Sequence, residues 1–131
     1  SAIVLSGPPN ACKLTASSVM QQSLHAGLVT LSACRTAGAR TYAGEGLVGF
    51  TWAFFLAGAR SVIAGLWDVS DESTPMLMDQ LYARLAMHQD PAEALRAAKL
   101  ALIRSGKPYS LPYYWAPFQL YMRELRANPA R

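Results

Sequence analysis

The sequence predicts an α/β fold in which a largely parallel sheet carries helices on both faces. Short apolar segments typical of buried strands alternate with segments of helical periodicity, in the order strand, helix, strand, helix, strand, two helices and strand. This alternation is typical of parallel strands joined by helical crossovers. The chain has 131 residues, of which 52% are hydrophobic and 15% are charged, so we expect one compact domain with a large core.

Turn and capping residues set the limits of the elements in the first half of the chain. Thr15 is suited to cap the first helix, and Gly27 is suited to end it. The second helix of this half is apolar nearly all round, which predicts that it is buried. The expected elements are strand 2–5, helix 15–24, strand 28–33, a polar, glycine-rich loop over 35–46, and helix 47–57.

The second half of the chain continues with one strand, two helices and a closing strand. Asp71 or Ser70 is suited to cap the first of these helices, and Asp90 is suited to cap the second, with Pro91 at its first position. Pro117 favours the start or an edge of the closing strand. The expected elements are strand 61–67, helix 72–88, helix 91–104 and strand 115–122. The expected apolar faces are Met76, Leu77, Leu81, Tyr82 and Leu85 on the first helix, and Ala94, Leu95, Ala98 and Leu102 on the second.

Cys34 follows the strand 28–33 directly, at the strand end where open α/β sheets bind their ligands. A glycine-rich loop and the beginning of a helix come next, and a helix N-terminus lowers the pKa of a thiol, as a nucleophile requires. A cysteine after an apolar run is also typical of a buried structural thiol. A redox pair with Cys12 is a third reading, which no other feature of the sequence favours.

Composition and residue spacing argue against several classes of protein. The net charge is +4, but the basic residues are scattered rather than concentrated on one face, which argues against nucleic-acid binding. No apolar run reaches the roughly 18 residues of a membrane span, and the first residues lack the features of a signal peptide, so we expect a cytoplasmic protein without membrane partners. The two cysteines and two histidines lack metal-ligand spacing, so neither a metal nor a cofactor is predicted.

Five segments, in order along the chain, carry a resemblance to a known family. They are Leu31-Ser32-Ala33-Cys34-Arg35-Thr36, Gly44-Glu45-Gly46-Leu47-Val48-Gly49, Phe54-Phe55-Leu56-Ala57-Gly58-Ala59-Arg60-Ser61-Val62, Leu66-Trp67-Asp68-Val69-Ser70-Asp71 and Tyr113-Tyr114-Trp115-Ala116-Pro117-Phe118. Together they resemble the C-terminal part of a CHAT domain, the caspase-like domain often found behind tetratricopeptide repeats. The resemblance covers about residues 1–122 and leaves 123–131 as a C-terminal tail.

The resemblance implies a three-layer caspase-like fold and a cysteine peptidase that works through a Cys/His dyad. Cys34 matches the family nucleophile, and its backbone N–H would help to hold the oxyanion. Ala33 and Arg35, on either side of it, are expected to contact the substrate. Family members commonly have an acidic residue at the position of Arg35, so this chain departs from the family there. The positive charge of Arg35 would favour the thiolate form of Cys34.

The resemblance also says where the dyad histidine is expected. In the family it belongs to a His-Gly pair at the end of a strand that precedes the first segment. This chain has no such pair, because His25 is followed by alanine and His88 by glutamine. We therefore assign the dyad to neither. The chain begins at Ser1, within a strand-like run, so we expect the histidine and the N-terminal strands in an upstream part of the domain, without which this chain is inactive.

Two acidic residues are the candidates for substrate specificity. In caspase-like peptidases, the loop after the strand that follows the cysteine strand helps to form the primary pocket. Asp68 and Asp71 belong to this loop, and a carboxylate there would attract a basic side chain of the substrate. Capping of the next helix explains Asp71 equally well.

Two functions are compatible with these features. The first is a cysteine endopeptidase domain that cleaves a protein substrate under the control of a neighbouring repeat or sensor region. The second is a catalytically inactive caspase-like module that binds a protein partner, since a fold does not fix a function. An upstream strand ending in His-Gly would favour the first.

Overall fold

The computed structural model describes residues 2–4, 6–8, 12–32, 45–67, 71–106 and 108–124. Strands and helices alternate along these ranges, as the sequence predicts for an α/β protein. The elements are β1 (Ala2–Val4), β2 (Lys13–Thr15), α1 (Ala16–Met20), β3 (Leu28–Leu31), α2 (Glu45–Ala57), β4 (Ser61–Gly65), α3 (Ser73–Ala86), α4 (Pro91–Arg104), α5 (Pro112–Trp115) and β5 (Phe118–Met122).

β3, β4 and β5 form a three-stranded sheet with β4 in the middle. β4 runs parallel to β3, with Leu31 opposite Ala64, and antiparallel to β5, with Gly65 opposite Phe118. The sequence predicts a largely parallel sheet, whereas these three strands form a mixed sheet. The physical reason is that two helices, α3 and α4, separate β4 from β5. The second helix returns the chain to the edge at which β4 ends, so β5 starts there and runs back.

β1 and β2 form a separate antiparallel pair, in which Ala2 lies opposite Thr15. The sequence prediction contains no strand at β2, because three residues are too few to show an alternating pattern. The prediction for β1 is correct over Ala2–Val4, and Leu5, the last residue predicted for this strand, lies outside the described residues.

Thr15 caps α1 as predicted. Its hydroxyl oxygen accepts a hydrogen bond from the backbone N–H of Ser18 at 3.1 Å, and Ser18 Oγ accepts one from the backbone N–H of Thr15 at 3.0 Å. The helix is shorter than predicted and ends at Met20, so Gly27 does not end it. The chain leaves the helix to reach α2, where the backbone N–H of Leu24 donates to the carbonyl oxygen of Ala57 at 2.6 Å.

α2 is apolar along its length, but among the described residues only one of its faces is covered. Ala53 and Ala57 are buried in a cluster with α1 and the β1–β2 pair. Val48, Trp52 and Leu56, on the opposite face, are 52%, 62% and 66% exposed. The prediction that this helix is buried all round is therefore wrong, because apolar composition does not tell which faces have a partner.

Successive residues of β4 face different helices, as the alternation of side chains in a strand requires. Val62 and Ala64 pack with Phe54 of α2, whereas Ile63 packs with Leu81 of α3. The three β4 residues have no exposed surface. β4 is therefore the strand around which the described core is built.

α4 agrees closely with its sequence prediction. Asp90 Oδ1 accepts a hydrogen bond from the backbone N–H of Ala92 at 2.8 Å, and Pro91 is the first helical residue. The helix ends at Arg104, and its buried residues are Ala94, Leu95, Ala98 and Leu102, all of which were predicted.

The structure of α3 differs more from its sequence prediction. Its N-cap is Glu72, which makes no side-chain capping bond. The prediction that Asp71 or Ser70 caps this helix is therefore wrong. Leu81 is fully buried, but Met76 and Tyr82 are 38% and 52% exposed, because α4 covers only part of the apolar stripe.

The last predicted strand divides into two elements. Its first residue, Trp115, is the last residue of the short helix α5, and β5 begins only at Phe118, directly after Pro117. The start of β5 is held to the end of β4, since the backbone N–H of Leu66 donates to the carbonyl oxygen of Pro117 at 3.0 Å. No helix within the described ranges is long and apolar enough to cross a membrane.

Candidate functional site

The carboxyl ends of β3 and β4 lie side by side, because the two strands are parallel neighbours with Leu31 opposite Ala64. This is the edge at which open α/β sheets bind ligands. The residues on which the predicted site depends follow these two strand ends in sequence. Four of them lie outside the described residues: Ala33, Cys34, Arg35 and Asp68.

Asp71 is the predicted site residue that the structure describes. It is exposed, in the turn that leads from β4 into α3. It precedes the N-cap Glu72, so helix capping no longer explains an acidic residue at this position. The turn thus presents a carboxylate to solvent on the side of the sheet where β4 ends.

The sequence analysis missed a polar and aromatic cluster beside this turn. The phenolic O–H of Tyr109 donates to Glu72 Oε2 at 3.1 Å. The Tyr109 ring meets the Tyr114 ring edge to face, with 5.4 Å between centroids, and Tyr114 meets Tyr113 in the same way at 5.2 Å. Such T-shaped contacts suit the charge distribution of aromatic rings. These contacts therefore connect the segment from Tyr109 to Tyr114, which precedes β5, with the beginning of α3.

The carboxylate of Glu72 changes the acidity of its partner. The hydrogen bond to Glu72, followed by the negative charge of that carboxylate and by desolvation, raises the pKa of Tyr109 above its ordinary value. Tyr109 is therefore a neutral hydrogen-bond donor throughout the physiological pH range.

Trp67 connects the cluster to the end of β4. Its indole N–H donates to the carbonyl oxygen of Tyr113 at 3.3 Å. The Trp67 and Tyr113 side chains are 40% and 53% exposed, so two aromatic surfaces face solvent beside the residues that follow β4. The run of aromatic residues from Tyr113 to Trp115 is the sequence signal that could have identified this surface.

Both histidines lie away from the carboxyl edge of the sheet. His25 precedes the amino end of β3 and is exposed. His88 follows the end of α3, with a φ of 60°. That helix starts next to the end of β4 and is 14 residues long, which places its far end about 20 Å away. Neither histidine therefore lies at the ends of β3 and β4, which Cys34 and Asp68 follow in the sequence.

Comparison with known proteins identifies the family. The model of the CHAT domain family matches residues 1–123 of the chain. Tetratricopeptide repeat protein 28 of Mus musculus is 33% identical over 115 residues, which are 88% of this chain and 5% of that protein. The protein of the same name from Homo sapiens is 30% identical over 115 residues, with the same two coverages of 88% and 5%. The chain thus spans only a small part of the length of these curated relatives.

The matches confirm the resemblance drawn from the five sequence segments, and they agree with the fusion of CHAT domains to tetratricopeptide repeats. The family implies a fold related to that of caspase-like peptidases. On the family match and the mixed α/β architecture together, the chain belongs to the CHAT domain family.

Proposed function

We propose that this chain supplies the nucleophile of a cysteine endopeptidase with a three-layer caspase-like core, and that Cys34 attacks the scissile peptide bond of a protein substrate. The histidine of the dyad comes from a part of the protein outside these 131 residues. A neighbouring repeat or sensor region controls the activity.

One observation supports this proposal above the others. β3 and β4 are parallel, neighbouring and in register over four residue pairs, so the sequences that begin with Ser32 and Leu66 start at one edge of the sheet. Cys34 is the third residue after β3, and Asp68 is the third residue after β4. A nucleophile and a specificity residue are expected at this edge in an open α/β enzyme.

The chemistry requires a thiolate, a base and an oxyanion site. The histidine accepts the thiol proton, and the thiolate sulfur adds to the carbonyl carbon while the backbone N–H of Cys34 donates to the developing oxyanion. Collapse of the tetrahedral intermediate breaks the C–N bond. The amine leaves with the proton from the imidazolium, and a thioester remains. Water, deprotonated by the same imidazole, then hydrolyses the thioester and restores the thiol.

The acidic residues after β4 give the proposed peptidase its specificity. Asp68 pairs with a basic side chain on the amino side of the scissile bond, since a carboxylate in a partly dehydrated pocket attracts a cation strongly. Asp71 adds negative charge at the rim of the pocket, where it is exposed. Ala33 and Arg35 contact the substrate backbone on either side of the nucleophile.

The first experiment measures the rate at which iodoacetamide alkylates Cys34 as a function of pH, by peptide mass spectrometry. The two samples are this chain and a longer protein that includes an upstream strand ending in His-Gly. Cys12, which is half-buried and directly precedes β2, provides an internal reference in each sample. We expect a thiol pKa well below the ordinary value of about 8.5 for Cys34 in the longer protein only.

The second experiment tests cleavage directly. The longer protein is incubated with a library of peptides of known sequence, and the cleavage positions are read by mass spectrometry. We expect cleavage after arginine and lysine, which Cys34→Ala abolishes and Asp68→Asn redirects, whereas Asp71→Asn weakens it less. An ordinary pKa or full protection of Cys34 in both samples, together with no Cys34-dependent cleavage, would overturn the proposal in favour of an inactive interaction module.

A further inference from the structure

β5 has an open side along the edge of the sheet. In an antiparallel pair, alternate residues exchange backbone hydrogen bonds with the neighbouring strand. The backbone N–H of Arg123 donates to the carbonyl oxygen of Arg60 at 3.0 Å, and with the observed register this directs Gln119 and Tyr121 towards β4. The backbone groups of Leu120 therefore point away from the sheet, and no described strand pairs with them.

A groove lies beside this open edge. It is a shallow depression with a volume of about 500 Å³, open to solvent, and it is formed by one side of α4 together with residues of α5 and β5. Its walls are mostly apolar. The lining residues are Ala92, Leu95, Arg96, Lys99, Leu100, Ile103, Trp115, Gln119 and Leu120.

Two cations of α4 line the groove. Lys99 is half-buried in the lining of the groove, and this burial lowers the pKa of its ammonium below the ordinary value. No carboxylate within the described residues pairs with the Lys99 ammonium. Arg96 makes only a long contact of 4.0 Å with Glu93, in which both side chains are about 70% exposed. The groove thus combines apolar walls with an uncompensated positive charge.

We propose that the open edge of β5 and the adjoining groove bind an extended, acidic segment of a partner protein, which adds to the sheet as a further strand. The backbone groups of Leu120 pair with the segment, as in other cases of strand addition. Alternate side chains of the segment enter the groove, and a carboxylate among them pairs with Lys99. A second copy of this chain is a poorer occupant. It would bring another positively charged groove to the same edge, and like charges brought together cost free energy.

The experiment selects ligands by their chemistry. The full chain is immobilised, and a displayed library of random twelve-residue peptides is screened against it at low salt. We expect the selected peptides to combine β-branched residues with aspartate or glutamate. Synthetic copies are then measured by fluorescence anisotropy, and hydrogen exchange of the Leu120 amide is followed with and without the peptide. Binding is expected to slow this exchange.

Two variants and a matched control test the geometry. Lys99→Glu is expected to weaken binding about ten-fold or more, because an attractive charge pair becomes a repulsive one. Leu120→Pro removes the outward N–H, a change that an edge strand tolerates, and it is expected to abolish binding. Lys13→Glu, an identical change of charge on the exposed side of β2, is expected to leave the affinity unchanged.

Several results would overturn this inference. They are a screen without binders, selected peptides without an excess of acidic residues, equal affinities for Lys99→Glu and Lys13→Glu, and unchanged exchange at the Leu120 amide. If Leu120→Pro fails to fold by circular dichroism, the Lys99→Glu comparison and the exchange measurement still decide the question. A dimer in sedimentation that protects the Leu120 amide without peptide would assign the edge to a second copy instead.

Discussion

Gly58 makes the turn between α2 and β4 possible, and its replacement by alanine is the most informative single change in the fold. The residue has a φ of +115°, a conformation that residues with a side chain rarely adopt. A Cβ atom at this position would also overlap the backbone carbonyl oxygen of Leu24. Leu24 is also held in place by a hydrogen bond, since its backbone N–H donates to the carbonyl oxygen of Ala57 at 2.6 Å.

The cost of Gly58→Ala has two sources. A strained φ of this kind costs about 1–3 kcal/mol. Because the overlap is with backbone rather than with a flexible side chain, Leu24 has to move, and the loss of its hydrogen bond to Ala57 costs about 1 kcal/mol more. We therefore expect a total destabilisation of about 3 kcal/mol, a large part of the 5–15 kcal/mol that stabilises a typical domain.

Gly106 provides the matched control. Its φ is +89°, and nothing lies within 4 Å of a Cβ built on it. Gly106→Ala therefore carries the backbone strain without the overlap, and we expect it to cost about 2 kcal/mol. The difference between the two variants isolates the contact with Leu24.

The assay is urea unfolding followed by tryptophan fluorescence. With a denaturant slope of about 2 kcal/mol per molar urea, the midpoint of Gly58→Ala should lie about 0.5 M below that of Gly106→Ala. Equal midpoints for the two variants would refute the reasoning, because they would show that the chain absorbs the overlap with Leu24 at no cost.

Two further predictions concern a titration and a helix cap. Glu72→Gln should bring the pKa of Tyr109 back towards the ordinary tyrosine value of about 10, because it removes the negative charge that helps to raise that pKa; absorbance at 295 nm measures this. With Glu72 present, the raised pKa contributes stability that is complete below about pH 10 and declines as the pH rises towards the folded-state pKa. Asp90→Ala should cost about 1 kcal/mol in urea unfolding, because Ala92 loses its capping partner, whereas Asp79→Ala, an exposed change within α3, should cost less. An unshifted Tyr109 titration, or equal costs for the two aspartates, would contradict these expectations.

The elements that could be predicted from the sequence are those set by local chemistry. α4 is the clearest case, because the cap Asp90 and the following proline fix its start, and helical spacing identifies its buried face without knowledge of any partner. The same holds for β4, whose unbroken apolar run requires burial on both faces.

The features that could not be predicted depend on residues far apart in the chain. β2 is defined by its pairing with β1, and the open face of α2 depends on which segments happen to cover it. The direction of β5 could have been inferred, since two helices before a strand return the chain to the edge it left. The bond between Glu72 and Tyr109 joins residues 37 positions apart, and no local pattern reports such a contact. For the site, sequence motifs identify Cys34 and Asp68 as candidates, and these remain predictions because both lie outside the described residues.

The open face of α2 gives the chain a natural optical reporter. Trp52 lies in the middle of that face and is 62% exposed, so its indole emits from an aqueous environment and is accessible to quenchers such as iodide. Any protein segment that comes to rest on Val48, Trp52 and Leu56 would remove water from the indole, shift its emission to shorter wavelength and shield it from the quencher. Coverage of this helix can therefore be followed in solution without an added label, as the part of the emission of the three tryptophans that is lost in Trp52→Phe.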